Sequence, residues 1–148
     1  MKLDKLPKPI IPPIIAAIFC DLFFTLLGQP DSYWNDASKV SEGSPLGVLT
    51  LSNSPFTFIL FMILYALFII FLLKKLNFRL ALPLGITVAL GHIYGSSSWI
   101  SLLTYKVLGH DKAFLSWYLL IGYLGLWACL FSWVIYKMIK GINETSKR

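Results

Sequence analysis

Long apolar runs separated by short polar segments are the main feature of this sequence. Four of them cover residues 10–28, 55–73, 80–105 and 113–136. Each is long enough, at about 1.5 Å per residue in a helix, to cross about 30 Å of hydrocarbon. None has the alternating pattern of membrane β-strands, so we predict four transmembrane helices. The predicted fold is a single-domain, all-α, antiparallel four-helix bundle, joined by short connections and one longer loop at residues 29–54.

Composition and charge support an integral membrane protein. Hydrophobic residues make up 57% of the 148 residues and charged residues only 14%, against about 25% charged in soluble domains. Lysine and arginine concentrate before the first span, between the second and third, and after the fourth. The positive-inside rule then predicts cytoplasmic termini and an outer loop at 29–54. The membrane is the plasma or inner membrane in a prokaryote, or an ER-type membrane in a eukaryote, and nucleic acid is not an expected partner.

Motifs for familiar cofactor and nucleotide sites are missing from the sequence. Cys20 and Cys129 both lie inside apolar segments, so they read as buried free thiols rather than as a disulfide or a zinc ribbon. We find no phosphate loop, no dinucleotide fingerprint and no H-E-x-x-H sequence. We therefore expect no cofactor.

Two ionisable residues lie in the middle of predicted spans, Asp21 in the first and His92 in the third. These two spans run in the same direction, and the residues come about 14 and 18 Å from the inner helix ends. A charged aspartate in mid-membrane costs about 2.5–3.5 kcal/mol, so it should face the bundle interior and find a partner. We predict that Asp21 and His92 share a pocket. A purely structural hydrogen bond between the helices is the alternative.

Neighbouring residues extend this predicted pocket. Thr25 and Ser96 each come four residues after an ionisable residue, on the same helical face. Apolar and aromatic walls are expected from the second and fourth spans. The stripe containing Gly91 and Gly95 is interpreted as helix packing. The candidate ligand-binding residues are Asp21, Thr25, Glu42, Tyr65, His92, Ser96, Tyr123 and Trp127.

The outer loop contains the remaining candidates. Glu42 precedes a predicted tight turn, and it reaches the pocket mouth if residues 46–51 fold back onto the bundle. His110 is a further candidate at that mouth. Tyr33 and Trp34 are interpreted as anchors at the membrane interface. Metal binding by Asp21, Glu42 and His92 is an alternative with suitable ligand types but without paired spacing.

Two resemblances follow from these residues. Asp21-x-x-x-Thr25, then Glu42-x-x-Pro45-Leu46, resembles small, uncharacterised prokaryotic four-helix membrane proteins over residues 15–75, with Ser44 where asparagine is expected. The layout also resembles the EXPERA group of sterol isomerases and sterol-binding proteins, which have an acid in the first helix and a histidine in the third. That group has an acid in its second helix, and none occurs here between Pro55 and Leu73.

Three functions remain open from the sequence. The first is an outward-opening intramembrane pocket for a small amphipathic or lipid-like ligand, with acid–base chemistry at Asp21 and His92 as an extension. The second is a non-catalytic accessory or structural subunit that packs against other membrane subunits. The third is a proton- or ion-coupled transporter acting as an oligomer.

Overall fold

A computed structural model describes residues 10–109 and 113–145, without the side chains of residue 113 and of 141–145. The described part is built from helices, and four of these are long and apolar enough to span a membrane. They are α1 (Ile11–Gly28), α3 (Pro55–Lys75), α4 (Phe78–Leu108) and α5 (Ala113–Thr145); a short helix, α2 (Pro45–Leu51), lies between α1 and α3. The predicted helical class is therefore confirmed for the described residues, together with the presence of four helices long and apolar enough to span a membrane.

Local sequence explains where these helices begin. Ser54 Oγ accepts a hydrogen bond from the Thr57 amide at the start of α3, and Asn77 Oδ1 accepts one from Leu80 at the start of α4. These are N-caps, which satisfy amides that have no partner inside the helix. Because α3 ends at Lys75 and the Asn77 cap begins α4, only Leu76 and Asn77 separate these two helices. We call these two residues the tight turn.

Helices α1 and α4 run parallel in a constant register. Ile14 lies against Gly85, Asp21 against His92, and Gly28 against the ring of Trp99. The α4 residue comes 71 positions after its α1 partner each time, and successive pairs are seven residues apart. A seven-residue repeat keeps the same two faces together along left-handed packed helices. In the first and last pairs one residue is glycine, which leaves room for the bulky side chain of the other residue. The polar pair lies between these two pairs.

Helices α4 and α5 extend beyond the predicted spans. The third span is predicted at 80–105, and α4 covers 78–108; the fourth is predicted at 113–136, and α5 covers 113–145. Hydropathy marks only the apolar part of a helix, whereas the backbone continues through Lys137 and Lys140 because nothing there breaks it. Lys137 lies over the ring of Trp133, 3.8 Å from its centroid, which keeps its charge at the helix surface.

The segment 29–54 is folded against the bundle rather than a simple loop. The fully buried Gln29 donates from Nε2 to the Ser41 carbonyl and accepts the Ser41 amide on Oε1, both at 3.0 Å. The Tyr33 hydroxyl donates to the Leu51 carbonyl, and burial raises the pKa of this hydroxyl. Tyr33 is 2% exposed, so its interpretation as an interface anchor is wrong, while Trp34 is exposed.

Candidate functional site

A cavity of about 910 Å³ lies between α3 and α4 on the side of the bundle that carries segment 29–54. The α1 residues Asp21 and Thr25 form one wall, and residues 41–47 line the cavity near α2. Near the tight turn, Leu73 lies within reach of Gly85, so α3 and α4 are close there. Tyr94 and Leu102 line the cavity while remaining largely exposed, so it reaches the surface of the bundle.

Asp21 and His92 form a hydrogen-bonded pair in the wall of this cavity. Asp21 Oδ2 lies 2.7 Å from His92 Nδ1, and both side chains line the cavity with 17–18% of their surface exposed. The predicted meeting of these two residues is therefore present. The bond holds Nδ1 against the carboxyl group, and the imidazole tautomer sets which of the two groups donates. In the described part of the chain this is the one hydrogen bond of the imidazole, which leaves Nε2 for a ligand.

Gly95 makes the pair possible. A Cβ atom at this position would lie 2.7 Å from Asp21 Oδ1 and 3.1 Å from Oδ2, where side chains do not fit without a shift. Gly91, one turn earlier, has open space at its Cβ position and lines the cavity. The interpretation of both glycines as helix packing is therefore incomplete. One lets the carboxylate approach α4, and the other widens the cavity.

Glu42 lies at the opposite end of the cavity from the tight turn. The stretch 46–51 does fold back onto the bundle, as part of α2, and Glu42 lines the same cavity as Asp21. Its Oε1 accepts the Ser44 amide at 2.9 Å, and its side chain packs over Gly47. The carboxylate is therefore held by a local turn, and within the described segments its second oxygen accepts no hydrogen bond.

The other candidate residues fall on two sides of α4. Thr25 and Tyr65 line the cavity, and the Tyr65 ring lies 5.5 Å from the imidazole. Ser96, Tyr123 and Trp127 do not line it. The Ser96 hydroxyl is 2.6 Å from the Tyr123 hydroxyl and bonds the His92 carbonyl, which joins α4 to α5. The expectation that the fourth span forms a wall of the cavity is therefore not met. The walls come from α1, α3, α4 and the 41–47 segment.

Two sequence-based candidates gain no support. Among the described residues, no three histidine, cysteine, aspartate or glutamate side chains are close enough to hold a metal ion. Asp21, Glu42 and His92 therefore share a cavity without forming a metal site. His110 lies outside the described residues.

Four aromatic residues of the cavity are not among the sequence-based candidates. Phe58, Phe61, Tyr94 and Trp99 all line it, and Trp99 is 7% exposed. For Trp99 a signal was present, because it lies seven residues after His92 on the repeat that faces α1. Phe61 lies four residues before Tyr65 and stacks on it. Nothing in the pattern around Tyr94 distinguishes it from a lipid-facing residue.

Comparisons of the chain with protein-family models, with characterised proteins and with solved structures found no match. What the site does is therefore inferred from its geometry and chemistry. The site offers a fixed imidazole nitrogen, two carboxylates and largely apolar walls in a volume suited to a small molecule.

Proposed function

We propose that this protein binds a small amphipathic, lipid-like molecule inside the membrane, in the cavity between α3 and α4. The polar end of the molecule hydrogen-bonds to Nε2 of His92, and its apolar part lies along Phe61, Met62 and Leu102. The observation that carries the proposal is the 2.7 Å bond between Asp21 and His92 in the cavity wall. The lysine and arginine distribution favours a cavity on the outer side.

The energetic cost of exposing a polar pair to hydrocarbon and the shape of the cavity both favour binding over a purely structural role. A polar pair that only joined two helices would be enclosed by protein, since exposure to hydrocarbon is costly. Here both members of the pair face a cavity that reaches the bundle surface. Small-molecule sites have volumes of about 300–1,000 Å³, mostly apolar walls and a few placed polar groups. The present cavity of about 910 Å³ has these properties.

The test is a cavity-filling substitution with a matched control. Gly91→Leu places its side chain in the open space of the cavity, whereas Gly122→Leu makes the same change on α5, where the Cβ position is also open. Both proteins are placed in nanodiscs of zwitterionic lipid, and retention of radiolabelled dodecanol is measured. Wild type and Gly122→Leu should retain more dodecanol than Gly91→Leu. His92→Gln should lower the affinity by about tenfold, the loss of one hydrogen bond to a ligand.

Equal retention by all four proteins would contradict the proposal, because it would show that dodecanol only partitions into the lipid. Thermal unfolding of each variant without ligand serves as the folding control. A ligand present at a hundred times its dissociation constant stabilises the folded state by about 2.7 kcal/mol. The same excess should therefore raise the unfolding temperature of wild type more than that of Gly91→Leu.

Proton transfer to or from the bound molecule is a second candidate function. It is favoured by the fixed Nδ1 bond to a carboxylate, which leaves Nε2 as the nitrogen that accepts a proton, as in other carboxylate–histidine pairs. Its test is solvent exchange: membrane lipid extract is incubated with the protein in D₂O and examined by mass spectrometry. Deuterium incorporation that is lost in His92→Gln would support proton abstraction, and its absence would leave a binding role alone.

A further inference from the structure

The charge of the cavity is opposite to the charge of the chain. The chain carries a net charge of +6, with 13 lysine and arginine residues. Yet the described residues that line the cavity include two carboxylates, Asp21 and Glu42, and no lysine or arginine. The wall also carries the imidazole of His92, which is already bonded to Asp21.

The lysines near segment 29–54 pair with carboxylates outside the cavity. Lys106 Nζ lies 2.6 Å from Asp31 Oδ1, and Lys39 Nζ lies 3.8 Å from Asp36 Oδ2. The remaining described cations are at the end of the bundle that carries the tight turn or at the C-terminal end of α5: Lys74, Lys75, Arg79, Lys137 and Lys140. The cavity carboxylates are therefore without a lysine or arginine partner among the described residues.

Aromatic rings form much of the remaining wall. They are contributed by α3 and α4, namely Phe58, Phe61, Tyr65, Tyr94 and Trp99. The faces of such rings attract cations, and this attraction grows when the cation is removed from water. Carboxylates and ring faces together favour a positive group and disfavour an anionic one, whose charge would meet two like charges at low dielectric.

We propose that the amphipathic ligand is cationic, with an ammonium group held between the Asp21–His92 pair and Glu42. This inference rests on the proposed function, because it specifies the ligand class of the same cavity. It excludes fatty acids and anionic phospholipids as the occupant, although the protein as a whole is basic. Glu42 and the aromatic rings then act as the residues that select for charge.

The experiment compares three single-chain probes with the same tail in zwitterionic nanodiscs at neutral pH. The probes are dodecylammonium, dodecanol and dodecylsulfonate, which carry positive, no and negative charge. Subtracting the retention by Gly91→Leu from that of wild type removes partition into the lipid. We expect cavity-specific affinity for dodecylammonium to exceed that for dodecanol by about tenfold or more. Dodecylsulfonate should show no cavity-specific binding.

Glu42→Gln is the variant that tests the source of this preference. Glutamine keeps an oxygen that can accept the Ser44 amide, so the turn before α2 is retained. The variant should lower affinity for dodecylammonium severalfold more than affinity for dodecanol. A general loss of folding would instead lower both affinities equally.

The possible failures are distinguishable. Equal cavity-specific affinity for dodecylammonium and dodecanol, or measurable binding of dodecylsulfonate, would overturn the cationic class and leave the binding function standing. A preference for the ammonium that survives in both Glu42→Gln and Asp21→Asn would also overturn it. No cavity-specific binding of any probe would overturn the binding function and this inference together.

Discussion

Replacing Gly95 by alanine tests the geometry of the polar pair at a single atom. The added Cβ would lie 2.7 Å from Asp21 Oδ1, whereas ordinary contacts begin at 3.4 Å. The carboxylate must then move away from α4, and it is this carboxylate that holds His92 Nδ1 at 2.7 Å. Because α1 and α4 are packed closely at the flanking pairs, a rigid shift of the helix is opposed by their contacts.

The size of the effect comes from comparison with Gly91→Ala. Both substitutions gain up to about 1 kcal/mol of helix propensity, so this contribution cancels between them. Gly91 has open space at its Cβ position. Only Gly95→Ala displaces the Asp21 carboxylate and thereby breaks the hydrogen bond between Asp21 and His92. A hydrogen bond to a charged group contributes about 1.5–3 kcal/mol. We expect Gly95→Ala to be less stable than Gly91→Ala by this amount.

Reversible unfolding by titration with SDS in mixed micelles measures the difference. The same pair of substitutions is then made in an Asp21→Ala background, where the carboxylate that would collide is gone. The stability difference between the two alanine variants should disappear there, since the coupling of Gly95 and Asp21 is what produces it. Equal stability of the two variants in the wild-type background would contradict the predicted coupling of Gly95 and Asp21. So would a difference that persists after removal of Asp21.

Three further predictions concern packing, the 29–54 segment and α5. Gly28→Ala should destabilise the protein by about 1–3 kcal/mol in the same titration, because its Cβ would overlap the ring of Trp99; a neutral effect would argue against the parallel register of α1 and α4. Gln29→Ala should accelerate hydrogen exchange of the Ser41 amide, which donates to Gln29 Oε1, and unchanged exchange would show that this contact does not hold the segment. Tyr123→Phe removes a hydroxyl outside the cavity, so it should leave dodecanol retention unchanged; reduced retention in a folded protein would place the binding site elsewhere.

The level of the polar pair was predictable from helix length and direction, and the cost of a charge in mid-membrane predicted that its two members face each other. Two parallel spans with the same rise per residue bring residues at similar depth to the same level, and Asp21 and His92 meet for that reason. The glycines at positions 28 and 85 reinforce the register, since each lies seven residues from a member of the pair. The helical class and the four long helices followed from hydropathy, whereas the short helix α2 did not.

The side of α4 that faces the cavity was not predictable. The long helices are apolar on all sides, so periodicity does not fix their rotation about the helix axis. Ser96 follows His92 by one turn, yet its hydroxyl bonds to Tyr123 on α5 rather than entering the cavity. The internal hydrogen bonds of segment 29–54 were also hidden, because Gln29 and Tyr33 bond to backbone atoms, which any sequence carries.

Nitrogen NMR of the two histidines shows whether His92 is bonded to Asp21 and open to a ligand. The chain has only His92 and His110, so ¹⁵N-histidine labelling gives two sets of ring signals, which His110→Gln assigns. We expect Asp21→Asn to shift the Nδ1 signal of His92 and dodecylammonium to shift its Nε2 signal in wild type. Both responses should be weaker for His110. Signals of His92 that respond neither to Asp21→Asn nor to the probe would contradict a ligand-accessible Asp21–His92 pair.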